Sequence, residues 1–352
     1  MQEKYRYSFH QKYVIPLPAY MEDDRNLRQK HMEPTGDELI IWTKSERVIW
    51  AVEKSIYILR GKLRNMALKL MYITNRPDVA KIAEQTGVDR IFIDMEYIGK
   101  SVRQGGMDSV QNHHTIKDIK RVRAVLTKAE LLVRINPIHE ADTDYCSSKE
   151  EIDAVVDAGA DIIMLPYFKT VDEVKNFVTY VNGRTKTLLL METPEAAALV
   201  DEIISIPGID EIHLGINDMS LGYGKTFMFE LLADGTVENL CLKFKKAGIP
   251  YGFGGIASIG TGKLPAEAIL KEHYRLGSSM VILSRSFCNV DKDTDISYIR
   301  EKFEIGVRSI RAFEKEIAIH SRYFEENEEA IARSVAAIVN QMKQSKIDSD
   351  KK

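Results

Sequence analysis

Residues 188–220 read LLLMETPEAAALVDEIISIPGIDEIHLGINDMS. A short apolar run ends on Glu192, and a helix start follows at once. Thr193 is placed as the N-cap, Pro194 at the first helical position and Glu195 in the first turn. A second apolar run then ends on Asn217 and Asp218. The unit is strand, helix, strand, and it sets carboxylates at the same end of neighbouring strands. One such carboxylate carries no weight; two point to a site.

The alternation extends outward from this unit, from Leu68 to Ser286. The apolar runs are LKLMYIT, DRIFIDME, ELLVRIN, ADIIMLPYF, TLLLMET, EIHLGIN, PYGFGGIA and SMVILSRS. Each is too short for a helix and rich in Ile, Leu, Val or aromatics, as strands buried on both faces are. Between them lie stretches with helical spacing. In TIKDIKRVRAVL, residues Ile116, Ile119, Val122 and Val125 share a stripe, and in TVDEVKNFVTYV Thr170 stands as N-cap. Gly87, Gly159, Gly248 and Gly277 sit where helices should stop. Eight strands over roughly 220–250 residues match a (β/α)8 TIM barrel. A doubly wound open sheet is the rival, disfavoured by the count and by the lack of G-x-G-x-x-G after the first strand.

The 352 residues are 44% hydrophobic and 29% charged, as in an ordinary globular enzyme. A net charge of −3 argues against nucleic acid as a partner. No apolar run reaches the ~18 residues of a membrane span. The charged, aromatic start MQEKYRYSFHQKY is not a secretory signal, and Cys146, Cys241 and Cys288 lack a C-x-x-C spacing. A cytoplasmic protein with reduced thiols is expected. Residues 1–65 read as an extension of unassigned role, with a helix over Ser45–Arg64, and residues 66–320 as the barrel. Residues 321–352 form a helix and tail whose face of Ile331, Val335, Ile338 and Met342 needs another surface. A second subunit would provide it, so a homo-oligomer is expected.

The strand ends supply the candidate site. Asp94 and Glu96 close the second strand, Arg134 and Asn136 the third, Pro166 the fourth, Glu192 the fifth, Asn217 and Asp218 the sixth. Glu192 and Asp218, with no His or Cys beside them, favour a hard divalent ion such as Mg2+ or Mn2+. The plainer alternatives are a solvated residue before a helix cap and an Asx turn. Arg134 stands in an apolar strand and needs an anionic partner, either Asp94 or Glu96 or a substrate oxyanion. Lys100 and Arg103, beside Gly105 and Gly106, are candidates for a distal carboxylate or phosphate, or else solvated loop charges. His113 and His114 close that loop, and either is a candidate general base. Gly254 and Gly255, in GFGGIASIGTGKLPAE, are candidates for binding phosphate through backbone N–H groups, or serve simple turns.

With these residues in place, the chain from Leu68 to Asn289 resembles the HpcH/HpaI-type hydroxy-keto-acid aldolase and citrate lyase β-subunit family. The resemblance is carried by FIDMEY, LLVRINP, DAGADIIMLP and the long piece ending GINDMS. It implies a pyruvate-superfamily barrel in which Glu192 and Asp218 bind the metal that chelates a pyruvate-like unit. It implies that Arg134 holds the enolate oxygen and that a histidine takes part in proton transfer; Asp94 and Glu96, at their strand end, are candidates for the catalytic group. The family's histidine after the D-x-E of strand two is Tyr97 here, and its GPxDL reads GINDM. A tyrosine titrating near ~10 is a poor base at neutral pH, which turns attention to His114, with His113 in reserve. The expected activity is metal-dependent cleavage or formation of a 2-keto-hydroxy acid from a 2-keto acid and an aldehyde, phosphorylated or not. An acyl-CoA lyase of citramalyl or malyl type and a ligand-binding barrel without catalysis are the alternatives.

Overall fold

The computed structural model describes residues 3–8, 34–35, 38–43, 67–100, 113–290, 292–317 and 323–350. The chain divides into two compact units, Met1–Asn65 and Met66–Lys352. In the first, β1 (Glu3–Ser8) pairs antiparallel with β3 (Glu38–Thr43), which also pairs with β2 (Pro34–Thr35). The extension thus carries a small sheet. Its strands EKYRYS and ELIIWT hold the aromatic and β-branched residues that favour pleated backbone. The helix expected over Ser45–Arg64 lies outside the described residues.

All eight apolar runs form strands of the second unit: β4 (Lys69–Ile73), β5 (Arg90–Asp94), β6 (Glu130–Arg134), β7 (Ile162–Leu165), β8 (Lys186–Met191), β9 (Glu211–Leu214), β10 (Tyr251–Ile256) and β11 (Met280–Leu283). They are parallel, and β11 pairs with β4 to close the barrel. Side chains alternate across each strand with period two. Phe92 and Leu132 join Met71, Met164, Leu188 and Met280 in one cluster inside the barrel. Their neighbours Ile91, Ile93, Leu131 and Val133 face the helices. Burial on both faces is why the runs are continuously apolar.

The helices are α1 (Pro77–Thr86), α2 (Ile116–Arg123), α3 (Ser148–Asp157), α4 (Val171–Val181), α5 (Pro194–Ala198), α6 (Val200–Ile203) and α7 (Ile216–Gly222). They continue with α8 (Glu230–Ala233), α9 (Thr236–Ala247), α10 (Ala266–Leu276), α11 (Ile296–Ile317) and α12 (Tyr323–Asp350). Their starts follow the expected caps. Thr170 Oγ1 accepts the Glu173 N–H at 3.2 Å, and Thr193 Oγ1 that of Ala196 at 3.1 Å. Gly87 ends α1 at a φ of 99°, a left-handed conformation that favours glycine.

The floor of the barrel is ionic. Arg90, fully buried, grips Glu211 through Nη1 at 2.5 Å and Nη2 at 2.7 Å, and donates from Nε to Glu130 at 2.8 Å. Lys186 Nζ reaches the other Glu130 oxygen at 2.6 Å. Burial pushes the Glu130 carboxyl up, but Lys186 and Arg90 outweigh it and hold it at about 2, below its ordinary 4.5. A lowered folded-state pKa gives stability that is complete above the unfolded value and lost as pH falls through the folded one. Glu130→Gln is therefore expected to flatten the fall in stability between pH 4.5 and about 2. Denaturant midpoints measured across that window check this; an unchanged slope contradicts it.

Helix α12 settles on its own chain, against α8 and α10. Ile331 and Val335 are buried there, and Ile338 and Met342 pack half-buried on the same core. Asn327 Nδ2 anchors the helix by donating to Glu272 Oε1 of α10 at 2.8 Å. The face expected to meet a second subunit is covered within the chain, so that face no longer argues for an oligomer. Among the described residues no helix is long and apolar enough to cross a membrane.

Candidate active site

Because every barrel strand runs the same way, their carboxyl ends ring one mouth. Glu192, immediately after β8, is buried there, and its Oε1 accepts the Tyr167 N–H at 3.0 Å. That N–H is aimed by an uncommon backbone: Tyr167 has φ 47°, which non-glycine residues seldom adopt and which clusters at functional sites. Gly215 lies against the same carboxylate. A Cβ there would fall 2.6 Å from both Glu192 Cβ and Oε2.

Asn217 and Asp218 do not end the sixth strand. Strand β9 stops at Leu214, and both residues belong to the first turn of α7. Asp218 is buried and accepts from Asn217 Nδ2 at 3.1 Å, whereas Asn217 is exposed. Negative charge is favoured in a helix's first turn, which accounts for the aspartate's position. Glu192 and Asp218 line one cavity of about 410 Å³ with Tyr167, Lys169, Thr193 and Glu195. Lys169 and Glu195 pair at 3.0 Å, and the lysine also lies 5.3 Å over the Tyr167 ring. Pro166 is buried at the end of β7 and is not among the lining residues; its neighbour Tyr167 is. Nothing in the sequence marks Tyr167, because its backbone conformation is a tertiary property.

Among the described residues no three His, Cys, Asp or Glu side chains cluster as a metal site. The donor set is two carboxylates, without thiolate or imidazole. That suits a hard divalent cation such as Mg2+ or Mn2+, which completes its shell with water and ligand oxygens.

A second cluster stands beside the first. Asp94 accepts from Arg134 Nε at 2.9 Å and Nη2 at 2.8 Å, from Lys100 Nζ at 2.7 Å, and from the Glu96 N–H at 3.2 Å. Arg134 Nη1 and Lys100 Nζ each lie 3.4 Å from Glu96. Burial alone would raise the Asp94 carboxyl, but Arg134 and Lys100 outweigh it and hold it far below the carboxylate range. Saturated in this way, Asp94 is not a proton acceptor; it positions the two cations. Burial disfavours charge on Arg134, yet Asp94, Glu96 and Glu192 raise its pKa. The contribution of Glu192 means that its carboxylate also stabilises the Arg134 charge.

The other candidates are redistributed. Lys100 is engaged inside the cluster and is not a distal anion clamp. Arg103 lies outside the described residues. Asn136 Oδ1 accepts the N–H groups of Tyr97 and Ile98 at 2.8 and 2.9 Å, and its Nδ2 donates to Glu151 at 3.0 Å. Its amide is engaged within the protein and shapes the loop. Gly254 and Gly255 lie within β10, and Gly255 is in register with Ile282 of β11. Gly254 has φ 51°, a left-handed conformation that favours glycine, and a Cβ would come 2.7 Å from Ile216 Cδ1, so strand conformation and packing account for it.

The two histidines differ. His114 is buried, and its Nδ1 accepts the backbone N–H of Asp94 at 3.0 Å. The neutral ring then carries its proton on Nε2 and can only donate there, so His114 is poorly placed as a base. His113 is exposed and stacks on Tyr97, with ring centroids 5.6 Å apart. Burial and the charge of Asp94 push the Tyr97 hydroxyl up to about 12.

Residues 69–249 match the family model described as HpcH/HpaI aldolase/citrate lyase. A hydroxypyruvate/pyruvate aldolase of Sagittula stellata is 29% identical over 150 residues, covering 34% of this chain. The chain spans 57% of that relative's length. Two solved structures are similar at lower identity. One is an HpcH/HpaI aldolase/citrate lyase family protein from Burkholderia cenocepacia, at 15% identity and a TM-score of 0.49 over 69% of this chain and 98% of the other. The second is an HpcH/HpaI aldolase from Desulfitobacterium hafniense, at 16% and 0.46 over 72% and 96%.

Proposed function

We propose, because this chain belongs to the HpcH/HpaI aldolase/citrate lyase family, that it is a divalent-metal-dependent carbon–carbon lyase. It cleaves or forms a 2-keto-hydroxy acid through a pyruvate-type enolate. The observation that carries the reading is the meeting of Glu192 and Asp218 on one cavity. Arg134 stands within electrostatic reach. Mg2+ or Mn2+ held by the two carboxylates would supply Lewis-acid stabilisation of the enolate charge. Arg134, kept cationic and fixed by Asp94 and Glu96, adds a positive field on the same side. In cleavage the hydroxyl loses its proton, its O–H electrons form the aldehyde carbonyl, and the C–C pair passes to the enolate.

Chelation is expected to remove cleavage and oxaloacetate decarboxylation together, and added Mg2+ or Mn2+ to restore both. Full activity in excess chelator sinks the metal assignment.

The proton acceptor we assign to His113, in preference to His114. Its exposure leaves the ring open to solvent and ligand at the end of the strand-two loop, whereas the Nδ1 of His114 is already an acceptor. Tyr97, with its raised pKa, acts as a neutral stacking partner. Decarboxylation involves no hydroxyl proton and separates the two roles. His113→Ala is expected to slow aldol cleavage by about 10²–10⁴-fold while decarboxylation continues. If cleavage persists in His113→Ala and fails in His114→Ala, the order of the two histidines is reversed.

A further inference from the structure

The mouth has a second cavity, on the rim beyond β11. Between β11 and α11 the chain passes a space of about 480 Å³ lined by Arg285, Ser286, Asn289, Lys292, Tyr298 and Lys302. Among the described lining residues, three cations accompany one carboxylate, Asp293. Among the described residues, Arg285, Lys292 and Lys302 have no acidic side chain within ion-pair distance. They stand in contrast to Arg134, Lys100 and Arg90, each of which is gripped by carboxylates. Lys302 lies 5.2 Å over the Tyr298 ring, which holds its ammonium in place without neutralising it.

The wall is built, not draped. Tyr72 Oη donates to the Cys288 carbonyl at 2.9 Å, Ser258 Oγ to that of Phe287 at 3.3 Å, and Arg76 Nη1 to that of Val290 at 3.3 Å. Phe287 is buried against Phe303, ring centroids 5.5 Å apart. Such tethering lowers the ordering cost of binding. Burial pushes the Cys288 thiol up to about 11, so this wall presents no thiolate at neutral pH. The cavity's chemistry is recognition.

We propose that this cavity binds a phosphate monoester group, that of the aldehyde half of a phosphorylated substrate. A phosphomonoester carries about −1.5 to −2 charges at neutral pH and several strong acceptor oxygens, which suit three cations and the hydroxyls of Ser286 and Tyr298. Phosphate in barrels frequently sits at the loops after the seventh and eighth strands, where this cavity lies. The Gly254–Gly255 backbone, read from sequence for this role, is engaged in the barrel itself. The proposal rests on the aldolase reading only in giving the phosphate to the aldehyde half.

The test has two arms on the full chain. Titration calorimetry with inorganic phosphate at fixed ionic strength reads the cavity alone. The Arg285→Gln/Lys302→Gln double variant should weaken binding at least tenfold. Lys263→Gln, an exposed cation in the preceding loop, should leave it unchanged. Equal loss in the control, or no loss in the double variant, overturns the site. The second arm compares kcat/KM for pyruvate addition to glyceraldehyde 3-phosphate and to glyceraldehyde. The preference for the phosphorylated aldehyde should fall at least tenfold in the double variant; an unchanged ratio overturns the assignment to the aldehyde. If neither aldehyde reacts with the intact chain, the aldolase reading fails, and the phosphate titration still decides the site.

Discussion

Glu192→Gln and Asp218→Asn are each expected to lower both aldol cleavage and decarboxylation by on the order of 10²–10³-fold, with the fold retained. Each change keeps the side chain's shape and removes its charge. In Glu192→Gln the amide oxygen can still accept the Tyr167 N–H that Glu192 Oε1 accepts now. At Asp218 the lost charge sits in the first turn of α7, a stability effect of about 0.3–1 kcal/mol. Thermal midpoints should therefore move by a few degrees only, while Mn2+ affinity measured by calorimetry collapses. Wild-type rates in either variant would remove that residue from the metal site. A large drop in midpoint with unchanged Mn2+ binding would make it a structural residue.

Arg134→Met is expected to be costly to stability and activity together. The guanidinium makes a two-pronged bond to Asp94 and reaches Glu96, and all three side chains are largely withdrawn from water. Removing it deprives two buried carboxylates of the guanidinium that bridges them. Breaking a buried ion pair from one side typically costs about 3–5 kcal/mol. Urea unfolding should show a loss of that order, and both reactions should fail because the positive field serves the enolate common to them. Arg134→Lys keeps the charge but not the planar fork, so it should recover part of each. Wild-type stability in Arg134→Met would mean that Asp94 and Glu96 are neutralised by other means.

The barrel was legible for a simple reason. Strands buried on both faces write themselves as unbroken apolar runs, and each of the eight runs is a strand. Glu192 was legible too, since β8 is six residues long and the carboxylate follows it directly. Asp218 was placed one element early, because β9 is only four residues and Gly215 turns the chain into a helix before the aspartate. Which of His113 and His114 turns inward depends on tertiary contacts, among them the bond from the Asp94 N–H, which no local pattern shows. Arg285, Lys292 and Lys302 stand well apart along the chain, and only the turn into α11 gathers them. Gly254 and Gly255 misled because glycine marks a loop and a crowded strand with the same letter.

Gly215 makes no contact attributed to a ligand and supplies no functional group, yet it fixes how near the chain passes to Glu192. The smallest added side chain would press to 2.6 Å from the Glu192 side chain. The consequence is a constraint on which sequences this chain can explore. A route of single substitutions toward a new specificity can rework the rim freely but meets a wall at this position. There the absence of atoms is itself the inherited trait, and any added atom requires Glu192 to shift.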